Sequence, residues 1–196
     1  MTARSIPIVP EVFYHIYNRG NNRERVFPHR QTYSFFLARL NKYFSKSGVD
    51  LLAYCLMPNH FHLLVVFDGQ VDFPNVMRSF STSYVKSFNR FYNRTGHLFE
   101  GDYQAKAIEK EDYLTNVIRY IHLNPLFAGL VSKPEYWEHS DYRTWIIDGG
   151  PARTPSLRLR DELFGGGASY RDFVEDFAEA KVEQKKLERL LGLSSP

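Results

Sequence analysis

Residues 51–67, LLAYCLMPNHFHLLVVF, contain two apolar runs separated by the dipeptide Pro58-Asn59. Both residues favour turns, because proline fixes φ and asparagine tolerates left-handed backbone. Each flanking run has the length and the β-branched or apolar content that is typical of a strand. The stretch therefore predicts a β-hairpin with strands over Leu51–Met57 and His60–Phe67.

The sequence before the hairpin predicts one strand and one helix. Val12–Tyr17 is short, aromatic and β-branched, which favours a strand. Apolar residues recur with helical spacing over Gln31–Ser45, and Ser47-Gly48 ends that helix. Residues 18–25, NRGNNRER, form a polar loop with three arginines between the two elements.

The sequence after the hairpin predicts a helix over Phe73–Tyr92 and a strand over Tyr103–Ile108. Asp112 is predicted to cap a further helix that Pro125 and Gly129 close. The resulting order, β-α-β-β-α-β-α, is the ferredoxin-like split β-α-β arrangement followed by one more helix. We therefore expect an α+β sandwich with a central antiparallel sheet and an added helix.

The pattern weakens towards the C-terminus, and we predict a core domain over 1–134 and an extension over 135–196. Gly149–Pro155 and Gly165–Gly167 have the composition of flexible linkers. Tyr170–Leu191 is charged, with a helical stripe that includes Val182, Leu187 and Leu190. The extension is thus predicted to be helical and partly flexible. Its first aromatic residues are expected to dock onto the core: Tyr136, Trp137, Tyr142 and Trp145.

Composition limits the class of protein. Hydrophobic residues make up 43% of the 196 residues, which is enough for a folded core. Apolar runs such as Leu63–Phe67 are too short to span a bilayer, and the first ten residues lack the apolar core of a signal peptide. A single cysteine, Cys55, excludes an internal disulfide framework. These features favour a cytoplasmic protein.

The charge distribution is more informative than the net charge of +3. Residues 1–134 carry 16 Lys and Arg against 10 Asp and Glu, whereas residues 135–196 carry 9 against 12. The basic part also holds most of the tyrosines and phenylalanines. Arginine together with aromatic rings suits nucleic acid, because guanidinium groups meet phosphates and rings stack on unpaired bases. Ordinary surface charge over an aromatic core would give the same composition.

His60 and His62 are two residues apart on the second strand of the predicted hairpin. Alternate side chains of a strand share a face, so both imidazoles project together while Phe61 points into the core. Two such imidazoles can bind one divalent ion. An unrelated pair of surface histidines would have the same spacing.

Tyr120 and Asn124 are four residues apart on the last predicted helix of the core, so they share one face. The Asn124 carbonyl oxygen is a hard ligand that suits Mg²⁺ or Mn²⁺. A deprotonated Tyr120 phenol can attack phosphorus. The alternative is that Tyr120 packs against the sheet and Asn124 caps the helix before Pro125.

Several sequence blocks together resemble one known family. Residues 56–64, LMPNHFHLL, resemble the metal-binding strand of the HUH endonuclease superfamily, in which U is a bulky hydrophobe. More closely, the chain is similar to single-tyrosine transposases of the REP-associated type, which belong with the small insertion-sequence transposases. The similarity covers most of residues 12–145. It is carried further by the blocks 14–23 (YHIYNRGNNR), 97–103 (HLFEGDY), 120–125 (YIHLNP) and 128–131 (AGLV).

This resemblance implies an enzyme that cleaves and rejoins single-stranded DNA at hairpin-forming palindromic repeats. It assigns the metal histidines to His60 and His62, and the nucleophile that becomes a 5′-phosphotyrosine to Tyr120. A polar residue one helical turn later, here Asn124, would complete the site for Mg²⁺ or Mn²⁺. Residues 1–134 would then be the catalytic domain.

Basic residues outside this centre are candidates for contacts with DNA. The bound cation itself, Lys106 or Arg119 could also assist ionisation of the Tyr120 phenol. For the basic residues of the second helix, a solvated helix face is the alternative. The predicted DNA-binding residues are Arg19, Arg23, Arg25, Arg78, Lys86, Arg90, Arg94 and Lys106.

Two other functions fit the same residues. One is a single-stranded nucleic-acid-binding module without turnover, and the other is a metallohydrolase in which Tyr120 is structural. The C-terminal extension favours a monomer, whereas the smallest insertion-sequence relatives are homodimers that exchange the tyrosine helix. We expect a bacterial cytoplasmic protein that associates with the nucleoid when bound to DNA.

Overall fold

The computed structural model describes residue 9 and residues 11–67, 69–148 and 154–190, with side chains described up to residue 181. The chain divides into two compact units, and the division falls between Asp141 and Tyr142. The sequence predicted this division after residue 134.

The first unit contains one four-stranded sheet and three long helices. The strand order is β2-β3-β1-β4, and every neighbouring pair is antiparallel. This confirms the predicted α+β, ferredoxin-like fold with an added helix. The elements are β1 (Phe13–Arg19), α1 (Arg30–Phe44), β2 (Val49–Met57), β3 (His60–Phe67), α2 (Phe73–Phe91), β4 (Gln104–Ile108) and α3 (Glu111–Phe127), with short 3₁₀ turns at Asn21–Arg23 and Pro134–Tyr136.

The two faces of the sheet are covered by different helices. Phe61 belongs to the main core cluster, and its ring centroid lies 5.1 Å from that of Phe36 in α1. His62, on the opposite face by strand alternation, lies beneath α3, with its ring centroid 5.3 Å from that of Tyr120. Because successive side chains of β3 point to opposite faces, the sheet has its main core on one face and the candidate site on the other.

Helix α3 begins and ends differently from its prediction. Lys110 occupies the N-cap position, and Asp112 lies in the first turn, so the predicted cap is wrong. A carboxylate in the first turn still stabilises the helix through the macrodipole. Pro125 lies inside the helix, which continues to Phe127. Gly129, with a left-handed φ of 70°, then takes the chain out of the helix, as predicted.

Residues 137–141 lie along part of the outer edge of β2 and form one isolated bridge with it, between Ser140 and Cys55. The Leu56 amide donates to the His139 carbonyl over 2.9 Å, and the Asp141 amide donates to the Tyr54 carbonyl over 3.3 Å. The Trp137 indole donates to the Leu56 carbonyl over 3.1 Å. These bonds explain why the first unit continues to Asp141. Trp137 packs against the core as predicted, whereas Tyr136 is 57% exposed, so its predicted docking is wrong.

Asp141 also connects the edge of the sheet to α3. Its carboxylate accepts a hydrogen bond from the Tyr54 amide over 2.7 Å and lies 2.9 Å from Nε2 of His122. His122 is fully buried. We call this connection the His122–Asp141 clasp. It holds the helix that carries Tyr120 against β2.

Replacing Asp141 with alanine is expected to lower the free energy of unfolding by about 1–3 kcal/mol, because His122 and the Tyr54 amide lose a buried acceptor. Urea denaturation measures this change. The matched control is Glu138→Ala, which removes a surface ion pair to Arg30 at 2.9 Å. Such pairs contribute about 1 kcal/mol or less. Equal losses in the two variants would contradict a structural role for the clasp.

The second unit is helical, with α4 (Tyr142–Trp145), α5 (Pro155–Phe164) and α6 (Gly167–Leu190). Tyr170 is buried, and its ring centroid lies 5.0 Å from that of Trp145 and 4.8 Å from that of Phe164. The helical extension is therefore confirmed, and Tyr142 and Trp145 are both buried.

The predicted linkers differ from the described structure. Residues 149–153 lie outside the described residues, but Pro155 begins α5, which was not predicted, after a Thr154 cap. Residues 165–167 form a tight junction, since the Gly167 amide donates to the Asp148 carboxylate over 2.6 Å. The side chains of Val182, Leu187 and Leu190, and all of Leu191, lie outside what is described. In the described parts of the chain, no helix is long and apolar enough to cross a membrane.

Candidate active site

The hairpin turn Pro58-Asn59 places His60 at the first position of β3 and His62 on the same face. Their ring centroids are 5.0 Å apart, with the ring planes nearly perpendicular. Both imidazoles lie on the face of the sheet that α3 covers. The juxtaposition expected from the strand period is therefore present.

Within the described residues, one ring nitrogen of His62 has a hydrogen-bond partner and the other has none. Its Nδ1 lies 3.0 Å from Nε2 of His15, which is on the neighbouring strand β1. Its Nε2 is buried and, among the described residues, has no hydrogen-bond partner. Burial lowers the pKa of His62 well below its ordinary value, so the imidazole is neutral and carries a lone pair. A buried nitrogen of this kind is costly unless a ligand satisfies it.

His60 is oriented by its neighbour in the turn. Its Nδ1 lies 2.7 Å from Oδ1 of Asn59, whose Nδ2 donates to the Arg23 carbonyl over 3.2 Å. Burial lowers the pKa of His60, and a hydrogen bond with the Asn124 side chain opposes that shift. Asn124 therefore meets the same imidazole that Asn59 orients.

Tyr120 and Asn124 lie on successive turns of α3, and the Asn124 amide donates to the Tyr120 carbonyl over 3.0 Å. The Tyr120 side chain faces the histidines, with its ring centroid 5.3 Å from that of His62 and 6.1 Å from that of His15. It nevertheless remains 49% exposed, although it lies beside buried histidines. The phenol is thus accessible to a substrate.

The donors in this centre fit a divalent ion. Within the described residues, no three His, Cys, Asp or Glu side chains form a metal cluster, so a site here depends on the Asn124 amide. Two neutral imidazoles can ligate a transition-metal ion such as Mn²⁺, and the amide oxygen is a hard ligand that suits Mn²⁺ or Mg²⁺. The unpartnered Nε2 of His62 is the observation that supports this fit.

A cleft of about 400 Å³ opens beside Tyr120, between α3 and the strands β1 and β4. Sequence reasoning assigned no role to two of its residues, His15 and Tyr113. Tyr113 could have been found, because it precedes Tyr120 by two helical turns and shares its face. His15 could not, since its position beside His62 depends on strand register. The cleft is lined by His15, Tyr17, His62, Lys106, Tyr113, Asn116, Val117 and Tyr120.

The polar loop after β1 is fastened to the hairpin turn. The Gly20 amide donates to the Asn59 carbonyl over 2.7 Å. A Cβ at Gly20 would lie 2.2 Å from the Glu24 carbonyl oxygen, so only glycine fits there. Asn22 and Arg23 both have left-handed backbone, with φ of 51° and 59°. The loop is therefore held in a defined conformation against the turn that precedes His60.

The predicted DNA-binding residues fall into two groups. Arg19 is paired with Glu100 at 2.7 Å, and Arg94 is paired with Glu24 at 2.8 Å, so both have local structural partners. The others are exposed and make no ion pair within the described parts of the chain: Arg23, Arg25, Arg78, Lys86, Arg90 and Lys106.

The sequence profile of the family described as "Transposase IS200 like" matches residues 8–124. This span is more than half of the chain and contains the hairpin, Tyr120 and Asn124. The chain belongs to the IS200-like transposase family. No curated protein matches the sequence of this transposase.

Several solved structures are similar to the transposase, and two of them illustrate the similarity. One is a REP-associated tyrosine transposase bound to a REP hairpin, with a TM-score of 0.64 and 14% identity over 80% of this chain and 96% of that one. The other is a putative transposase from Deinococcus radiodurans R1, with a TM-score of 0.43 and 16% identity over 59% of this chain and 92% of that one. The first similarity shows that the fold is shared.

Family membership defines the class of activity. A transposase binds DNA and acts on it as an endonuclease and strand transferase in DNA transposition. Transposases of this superfamily generally use a divalent metal ion. DNA is therefore the partner of this transposase.

Proposed function

We propose that this transposase cleaves and rejoins single-stranded DNA at hairpin-forming palindromic repeats, through a 5′-phosphotyrosine on Tyr120. His60, His62 and Asn124 would hold the divalent ion, Mg²⁺ or Mn²⁺. The observation that carries the proposal is the exposed Tyr120 ring beside His62, whose buried Nε2 has no hydrogen-bond partner in the described parts of the chain. The hairpin substrate is suggested by the similar structure that is bound to a REP hairpin.

The reaction requires few groups, because phosphoryl transfer depends chiefly on positioning and charge stabilisation. A bound divalent ion would polarise a non-bridging oxygen of the scissile phosphate. The Tyr120 oxygen forms a bond to phosphorus, the bond from phosphorus to the 3′ oxygen breaks, and that oxygen leaves as a 3′-OH. The 3′-OH of another strand can reverse this step. Joining therefore needs no ATP, since the tyrosine ester conserves the bond energy.

The phenol must lose its proton before or during attack. Lys106 lines the same cleft as Tyr120 and is the basic side chain nearest to this step in the proposal. Arg119, the other basic candidate, instead donates to the Asn116 side chain over 2.5 Å. We therefore favour Lys106 as the group that assists ionisation.

The test of this function is a covalent adduct. A labelled hairpin oligonucleotide with a single-stranded foot is incubated with the protein and Mg²⁺ or Mn²⁺, and the products are separated on a denaturing gel. We expect a protein–DNA adduct on the 5′ phosphate together with a fragment that ends in a free 3′-OH. Binding without cleavage would favour the nucleic-acid-binding module. Cleavage without any adduct would favour the metallohydrolase.

His15 is expected to position His62 rather than to touch DNA. If Nε2 of His62 binds the ion, its Nδ1 carries the hydrogen and donates it to Nε2 of His15. Burial and the nearby Lys106 lower the pKa of His15 to about 4, so it stays neutral and can accept. Outer partners of this kind fix the orientation of a ligating histidine.

Replacing His15 with phenylalanine is therefore expected to weaken Mn²⁺ binding by about 10- to 100-fold. Titration calorimetry measures this without DNA. His15→Gln, which keeps an acceptor, should recover part of the affinity, and the exposed His97→Phe is the control. Unchanged Mn²⁺ affinity in His15→Phe would show that His15 does not support the metal site.

We also infer that the transposase acts as a monomer. Tyr120 faces His62 of its own chain, and the His122–Asp141 clasp holds its helix in that position. A complete centre within one chain needs no helix from a partner. A homodimer with exchanged helices is the alternative. We place the protein in the cytoplasm, associated with the nucleoid when it is bound to DNA.

The exposed basic residues are proposed to contact the DNA backbone. Arg23 and Arg25 lie in the loop that is hydrogen-bonded to the turn before His60. We propose that this loop contacts the DNA strand close to the scissile phosphate. Arg78, Lys86 and Arg90 are exposed along α2, where a hairpin could lie. Arg19 and Arg94 are better assigned to holding the loop and the end of α2.

A further inference from the structure

The cleft beside Tyr120 extends away from His60 towards the edge strand β4. One wall is the sheet. In the antiparallel register of β1 and β4, His15 lies opposite Lys106 and Tyr17 lies opposite Gln104. The other wall is the first half of α3, which contributes Tyr113. A strand whose phosphate is at Tyr120 would therefore continue into this space.

Two aromatic rings in the cleft are not needed by the core. Tyr113 is 45% exposed, and Tyr17 is only partly buried. Both line the cleft rather than the apolar cluster beneath α1 and α2. Exposed tyrosine rings offer flat surfaces on which an unpaired base of any sequence can stack.

The charge and size of the cleft also suit a nucleotide. Its volume of about 400 Å³ lies within the range of about 300–1,000 Å³ that is usual for small-ligand sites. Its lining contains no Asp or Glu side chain. Lys106 is exposed on β4, and its Nζ lies 5.9 Å from the centroid of the Tyr17 ring. One nucleotide could therefore place its phosphate at the Lys106 ammonium group and stack its base on the neighbouring tyrosine ring.

We propose that this cleft binds the nucleotide that flanks the scissile phosphate, with its base against Tyr17 and Tyr113 and its backbone phosphate at Lys106. The proposal rests on the proposed function, because it requires the scissile phosphate at Tyr120. A base can reach the two rings only when it is unpaired. The cleft therefore selects a substrate that is single-stranded at this nucleotide.

The first test measures base stacking without turnover. The fluorescent base 2-aminopurine is placed on either side of the cleavage position in the hairpin oligonucleotide, and binding is followed in EDTA. One of the two positions should be quenched by the wild-type protein and by Tyr113→Phe, which keeps the ring. Tyr113→Ala should lose the quenching and bind about 5- to 100-fold more weakly. The exposed Tyr136→Ala is the control.

The second test is a double-mutant cycle between protein and DNA. Removing the flanking base from the oligonucleotide should weaken its binding to the wild-type protein by about the same factor as the Tyr113→Ala substitution does. The same base removal should weaken binding to Tyr113→Ala only slightly further. Fully additive losses, or no quenching at either position, would overturn the proposal. These measurements need no metal and no cleavage. Absence of an adduct with the wild-type protein would instead count against the proposed function.

Discussion

The Tyr120→Phe variant is expected to form no covalent adduct with hairpin DNA, and its cleavage rate should fall on the order of 10³-fold or more. Phenylalanine keeps the ring that packs beside His62 but lacks the oxygen that would bond to phosphorus. Because Tyr120 is 49% exposed, the substitution should change stability little. Single-turnover cleavage of a labelled oligonucleotide, resolved on a denaturing gel, gives both quantities.

The matched control for this variant is Tyr136→Phe. Tyr136 is also exposed, at 57%, but it is not among the residues that line the cleft. Its adduct yield should equal that of the wild type. Cleavage that persists in Tyr120→Phe would remove the tyrosine nucleophile from the mechanism and leave a hydrolytic reaction as the explanation.

The His62→Ala variant is expected to lose cleavage, on the order of 10²-fold or more at limiting metal, while hairpin affinity stays nearly unchanged. The variant removes the buried Nε2 that has no partner among the described residues. His60→Ala should behave similarly, because it removes the imidazole that meets Asn124. Mn²⁺ titration and a DNA-binding measurement in EDTA separate the two effects.

The control for the histidine variants is His97→Ala, since His97 is exposed and lies outside the cleft. It should leave metal affinity unchanged. If His60→Ala and His62→Ala both lose DNA affinity as much as cleavage, the histidines contact DNA or maintain the fold. If Mn²⁺ affinity is also unchanged in both variants, the metal site lies elsewhere.

Short-range patterns predicted most of the first unit. The predicted strand His60–Phe67 agrees with the observed β3, because a turn-forming dipeptide and an uninterrupted apolar run define both of its ends. The same local periodicities predicted α1 and α2 to within a residue at each end. The strand period also predicted that His60 and His62 share a face. These features are determined by residues that are close to one another in the sequence, so one sequence is enough to predict them.

The features that sequence reasoning missed depend on distant residues. His15 meets His62 only through the register of β1 and β3, and Asp141 meets His122 only because residues 137–141 join the edge of β2. The missed helix α5 has a different cause. Its proline start follows a glycine-rich stretch, and this composition resembles a linker even though Pro155 suits the first turn of a helix.

The bridge between residues 137–141 and the edge of β2 affects how the protein behaves in solution. This segment lies beyond residue 124, where the family match ends, and it covers part of the outer edge of β2. An uncovered strand edge presents unpaired amides and carbonyls that another chain can join. A fragment cut at the end of the family match would therefore be prone to aggregation through β2, even with every proposed catalytic residue intact. We therefore expect the smallest fragment that stays monomeric in solution to include Asp141.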